Sequence, residues 1–139
     1  MILVDVSAAL AAADRRDTHY TAAANAFRTV RGPLIIPAPV TAEVDYLLGT
    51  RAGRAARLNF LADIARGRFR VECLEAGDYA TILALEQRYA ALDPGLADLS
   101  LVVLAARFKT TTLLTFDERH FRNIEPLQGG RFILLPIDA

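Results

Sequence analysis

Cysteine occurs once in these 139 residues, at Cys73, and lysine once, at Lys109. A lone cysteine excludes an internal disulfide framework and a thiolate metal cluster, and it favours a reducing, intracellular setting. No stretch approaches the roughly 18 uninterrupted apolar residues of a membrane-spanning helix. The apolar N-terminal run is broken at Asp5 and has no basic region ahead of it, which argues against a signal peptide. A soluble, cytoplasmic protein with no membrane partner is expected. An excess of either charge is missing too. Lys+Arg and Asp+Glu stand at 16 each, so no global basic field announces non-specific binding to nucleic acid or membrane. The positive charge is nearly all arginine, whose planar fork suits bidentate phosphate contacts, although a GC-rich genome yields the same composition.

Apolar material is plentiful: 53% of the residues are hydrophobic, enough at this length for the core of one domain. Residues 1–139 read as a single domain without repeats or linkers. "ILV" at 2–4 is short and continuous, as expected of a parallel strand covered on both faces. Helices are predicted over 6–13 and from Thr18, as N-cap, to about Arg31. "GPLIIPAP" gives a turn, a brief strand and a helix entered through Pro39. A break falls at Gly49 to Gly53, before an amphipathic helix with Leu58, Leu61, Ala62 and Ala65 on one face. "FRVECL" is a strand, "DYATILALEQRYAAL" a helix closed by the turn Asp93-Pro94-Gly95, and "DLSLVVLAARF" a nearly all-apolar helix. "TTLLTF" and "FILLP" are the last strands. Strands alternating with helices call for an α/β fold with a short, mostly parallel sheet between helical layers.

Four carboxylates stand in unusual places. Asp5 ends an apolar strand, at the carboxyl end beyond which such sheets bind ligands. Asp117 repeats that situation after "TTLLTF". Glu43 is assigned to the apolar side of its helix, with Val40, Tyr46 and Leu47, while Asp45 points to solvent. Asp98 opens a helix that is apolar almost all round. Each has an ordinary reading: helix caps for Asp5, Asp98 and Asp117, and a side chain reaching out of the core edge for Glu43. Together they are harder to dismiss. Two carboxylates about 5 Å apart repel by roughly 3 kcal/mol at an effective dielectric near 20, so four gathered at one place require protonation or a bound cation. Without clustered thiolates or histidines, an all-oxygen set points to Mg²⁺ or Mn²⁺.

"LVDVSA", "PVTAEVDYLL", "LDPGLADLSLVVLAARF" and "LLTFDERHF", in that order, resemble the PIN-domain family, and within it the VapC-type toxin ribonucleases. The resemblance runs over essentially the whole chain and implies an α/β/α sandwich and a metal-dependent endoribonuclease. It puts Asp5, Glu43, Asp98 and Asp117 on the family's acidic cluster, with Asp5 and Asp98 as direct metal ligands, and Ser7 and Thr115 on hydroxyl positions of the same pocket. Asp93 matches an acid ahead of the third site, although its turn context favours a structural role. Val6 departs from the family's usual Thr or Ser. The resemblance further implies an RNA substrate, a small cognate antitoxin covering the pocket, and a homodimer.

Arg51, Arg54 and Arg57, with Arg119 and Arg122, are candidates to grip the substrate or are solvated helix faces. His120 is read as a packing residue, the alternative being a phosphate contact, and His19 as a helix-terminus residue. The surface around Tyr46, Leu47, Phe60 and Leu61 is read as core, the alternative being a dimer or antitoxin face. Two other functions compete. A degenerate PIN-like module would bind RNA or protein without cutting, but such a module would lack some of the four acids. An aspartyl-nucleophile phosphatase would want a second Asp where Ser7 stands and a lysine near the site, whereas Lys109 lies outside every acidic motif.

Overall fold

Ile2–Val4 forms strand β1, which is wholly buried, as its unbroken apolar character requires. In the computed structural model, which describes every residue from Met1 to Ala139, β1 pairs in parallel with β2 (Leu34–Pro37) on one side and β4 (Thr112–Leu114) on the other. β3 (Arg70–Glu72) and β5 (Ile133–Leu135) complete a five-stranded sheet of order β3-β2-β1-β4-β5, every pairing parallel. The chain winds one way from β1 to β3 and the other way from β4 to β5. The switch point, where open parallel sheets bind ligands beyond their carboxyl ends, therefore lies between β1 and β4.

Helices α1 (Val6–Ala13), α2 (Tyr20–Thr29), α3 (Ala38–Arg51) and α4 (Arg54–Ala65) pack against one another, and α5 (Ala76–Arg88) packs on α6 (Gly95–Arg107). Helix α7 (Glu118–Phe121) is a single turn. The helices flank the sheet as an α/β/α sandwich with one continuous apolar core. No helix is long and apolar enough to cross a membrane.

Several boundaries move from their expected places. Helix α2 starts at Tyr20 and ends at Thr29, and no side chain caps its N-terminus. Thr18 is not the cap; Asp17 Oδ1 instead accepts from His19 N at 2.8 Å and shapes the preceding turn. Helix α3 runs through Gly49 without a break and ends at Arg51. The break comes at Gly53, whose φ of +94° suits only glycine. Helix α5 begins at Ala76 because Glu75 and Asp78 form a capping box, with Glu75 N donating to Asp78 Oδ2 at 2.7 Å. Helix α6 begins at Gly95, three residues ahead of Asp98, and Glu86 Oε1 of α5 accepts from Gly95 N at 2.7 Å.

Two helix faces are also re-phased. On α3 the buried stripe is Val40, Val44 and Leu48, leaving Tyr46 69% exposed and Glu43 on the open side. On α4 it is Ala56, Phe60 and Ile64, not Leu58 and Leu61, which are exposed. Of the surface read as core, only Phe60 is buried; Leu47 is half-buried and Tyr46 and Leu61 lie on the surface.

Candidate metal centre

Asp5 occupies the N-cap position of α1, yet its side chain makes no cap hydrogen bond. Its backbone still belongs to the sheet, Asp5 N donating to Leu114 O at 3.0 Å. The carboxylate is 98% buried, with a residual exposure of 2%. The Ser7 and Thr115 hydroxyls each donate to its Oδ2 at 2.7 Å, while Oδ1 is buried without a partner. Burial pushes the Asp5 carboxyl above its ordinary value. The two hydroxyls and the Val6 N–H pull the other way, and the nearby Asp117 carboxylate adds to the rise.

The same hydroxyls lock β1 to the loop after β4. Phe116 N donates to Ser7 Oγ, and Asp117 N to Thr115 Oγ1, both at 2.9 Å. Ser7 and Thr115 thus join the two strand ends at the switch point; Ser7 lines the cleft, whereas Thr115, expected there too, is fully buried behind Asp5. Asp117 is the cap of its ordinary reading, and it keeps a second oxygen on the cleft. Oδ1 caps α7 by accepting from His120 N at 3.0 Å, and Oδ2 faces the imidazole of His120, whose Nδ1 lies 2.8 Å away.

Asp98 sits in the first turn of α6 rather than at its cap, which is Pro94. Its side chain is 14% exposed, and its Oδ2 lies 2.6 Å from His120 Nδ1. Neither ring nitrogen of His120 has a well-aligned hydrogen-bond partner, so these are close approaches rather than directed hydrogen bonds. Burial, then the Asp5 carboxylate, then that of Asp117, raise the Asp98 carboxyl to about 7 against the opposing pull of His120. The reading of His120 as a packing residue is therefore corrected. It stands between two acids, and its spacing three residues after an N-cap aspartate was the available signal.

These groups open onto one cleft of about 830 Å³, in the upper part of the roughly 300–1,000 Å³ usual for ligand pockets. Glu43 also lines it, on the stripe Pro39, Glu43, Leu47 and Arg51 that α3 turns to the cleft. Glu43 is thus an exposed wall residue, not an inward-facing one. Asp45, expected in free solvent, is half-buried with its Oδ1 2.7 Å from Arg57 Nε. Arg51 is the one arginine on the cleft. Arg122 is engaged by Asp138 and Glu118. His19 and Asp17 also line the cleft, and Asp93 stays outside, in a turn with φ of +46°.

A family model, the PIN domain, matches residues 2–126. The chain belongs to the PIN-domain family. It is 34% identical over 135 residues to the ribonuclease VapC26 of Mycobacterium tuberculosis, an alignment covering 97% of this chain and 100% of that protein. This likeness puts it with the VapC-type members. The crystal structure of VapC20 from the same organism, described as a toxin that cleaves the sarcin-ricin loop, superposes with a TM-score of 0.79 at 20% identity, over 84% of this chain and 90% of that one. Within this PIN domain the tightest donor set is Asp98, Asp117 and His120, one ligand atom from each lying within 4.8 Å of the others. The residues fit a divalent cation. A divalent cation would meet the unpartnered Asp5 Oδ1 and favour the ionised form of Asp98, whose carboxyl burial and the neighbouring acids raise.

Proposed function

We propose that this PIN domain, residues 1–139 as one unit, is a metal-dependent endoribonuclease of VapC type, the toxin of a type II toxin–antitoxin pair acting in the cytoplasm. The observation that carries the reading is the convergence of Asp5, Glu43, Asp98 and Asp117 on one cleft, in a chain similar along its length to a ribonuclease. The cleft lining bears five carboxylates, counting Asp17, against the single guanidinium of Arg51. An RNA phosphate would be repelled from such a surface unless a cation intervened.

The residues divide the work. Asp5, Asp98 and Asp117 would hold the ion, Mg²⁺ or Mn²⁺ by their oxygen donors, and Glu43 on the open wall would orient the attacking water. When bound, a divalent cation acidifies a coordinated water and offsets charge developing on the phosphate. Ser7 and Thr115, fixed on Asp5 Oδ2, aim its free Oδ1. Asp117 keeps Oδ1 on the α7 cap and offers Oδ2. The imidazole Nδ1 of His120 lies between Asp98 and Asp117 and belongs to the same donor set. Arg51 meets the RNA backbone.

Nothing supports the phosphatase reading. Lys109 follows the C-terminal end of α6, 11 residues beyond Asp98, or roughly 16 Å along a helix rising 1.5 Å per residue. No acid of the cluster is missing, as a non-cleaving module would require. A small antitoxin partner and a homodimer complete the proposal.

Asp5→Asn is isosteric and removes the buried charge. It should lower Mn²⁺-dependent RNA cleavage by at least about 100-fold, given the several kcal/mol such an ion contributes. Undiminished cleavage by the variant, prepared free of contaminating nuclease, would refute the assignment.

A further inference from the structure

Beside the acids, the rings of His19 and Phe116 are stacked nearly parallel, with centroids 4.3 Å apart and planes 10° from each other. Both line the cleft. We infer that this pair is a platform for a nucleobase of single-stranded RNA, setting one nucleotide in place next to the metal centre. The inference rests on the ribonuclease reading and adds a binding residue to it.

Three features carry it. First, Phe116 is rigidly tied to the acids: it lies between Thr115 and Asp117 in sequence, and its N–H is held by Ser7 Oγ at 2.9 Å. A base resting on this stack therefore has a fixed position relative to Asp5 and Asp117. Second, Phe116 is half-buried under the stack whereas His19 is exposed. The outer face of the imidazole is left for a third flat ring, and base–aromatic stacking tolerates any base because each has a π face. Third, the only arginine of the cleft lies on the same wall system. The Arg16 guanidinium, from the turn that carries His19, donates to the Arg51 main-chain carbonyl, tying the end of α3 to that turn. One flat face and one guanidinium together match one base and one phosphate. The turn's conformation does not depend on the ring of His19, since Asp17 Oδ1 holds His19 through its backbone N–H at 2.8 Å.

The test is an equilibrium titration, with Mn²⁺ present, of a mixed-sequence single-stranded oligoribonucleotide carrying 2-aminopurine, whose fluorescence is quenched on stacking. It is run in the Asp5→Asn background so that the RNA stays intact. Adding His19→Ala should weaken binding by about 5- to 150-fold, the range for losing one base–aromatic stack, and should remove the quench. His19→Phe keeps a flat ring and should restore both, which separates loss of the platform from loss of fold. Should the alanine variant fail to fold, His19→Trp decides alone: its larger face should tighten binding, and equal or weaker binding overturns the inference. Coincident titrations for Asp5→Asn with and without His19→Ala, in a protein whose wild type cleaves RNA, overturn the platform and leave the nuclease reading standing. A wild type that cuts no RNA, with no titration by Asp5→Asn, overturns both.

Discussion

At the scale of single residues, the buried acids set a pH dependence with a definite sign. Asp98 rises to about 7 in the folded, metal-free protein from the 3.8 of a free side chain. Between those values the native state binds more protons than the unfolded one, so stability falls as pH rises through that window. Asp5 shifts in the same direction. The metal-free protein should therefore lose melting temperature between about pH 4 and about pH 7. Added Mn²⁺ should raise it more at pH 8 than at pH 5, because only ionised carboxylates reward the ion. Thermal melts with and without Mn²⁺ check this, and Asp98→Asn should flatten the metal-free profile. Asp117 allows a cleaner division. Asn is a good N-cap, so Asp117→Asn should keep the α7 cap while weakening metal binding, whereas Asp117→Ala should cost about 0.5–2 kcal/mol of stability besides. Chemical denaturation of the two variants, paired with Mn²⁺ calorimetry, distinguishes the roles.

At the scale of elements, the lesson is helix phase. "PVTAEVDYLL" carries apolar residues at Val40, Val44, Tyr46, Leu47 and Leu48, which supports more than one stripe at helical spacing. Helix α3 packs against α1, α4 and α6 at once, so no single stripe is marked by polarity alone. The core takes Val40, Val44 and Leu48, and the cleft takes Pro39, Glu43, Leu47 and Arg51. Leu48→Ala should consequently cost about 2–5 kcal/mol, while Tyr46→Ser should stay within about 0.5 kcal/mol of wild type, both read from denaturant midpoints. Equal effects would contradict this phase. The start of α6 is likewise set from outside, by Glu86 of α5 on Gly95 N. Its partner lies nine residues back, beyond the reach of local capping rules.

For the whole molecule, the sheet order is what turns separate strand ends into a site. β1 and β4 are adjacent although more than a hundred residues separate them, and Asp5 and Thr115 meet at 2.7 Å only because of that pairing. The C-terminal segment closes this half of the fold. Asp138 takes Arg122 Nη1 at 2.9 Å and Leu134 N at 2.7 Å, and these bonds, the arginine's first, hold its carboxyl at about 2. Because that value lies below the unfolded one, the contribution is complete above about pH 4 and is lost as pH falls toward 2. Asp138 is at the surface, and the effect weakens with salt. With Asp138 acting below this range and Asp5 and Asp98 above it, the metal-free melting temperature should pass through a maximum at mildly acidic pH, and Asp138→Asn should remove the acid limb only.

The sequence by itself determined the alternation of strands and helices, and with it the parallel sheet, because continuous apolar runs, capping residues and turn signals act within a few residues of one another. It also determined that acids stand at the ends of β1 and β4 and near the start of α6, and that their motifs are those of a PIN domain. Tertiary structure alone decided which face of α3 and α4 enters the core, that His120 lies between Asp98 and Asp117, and that His19 stacks on Phe116. Each of these depends on partners brought together by strand order and helix packing, which no periodic pattern in the chain specifies; only the spacing of His120 after Asp117 left a local trace.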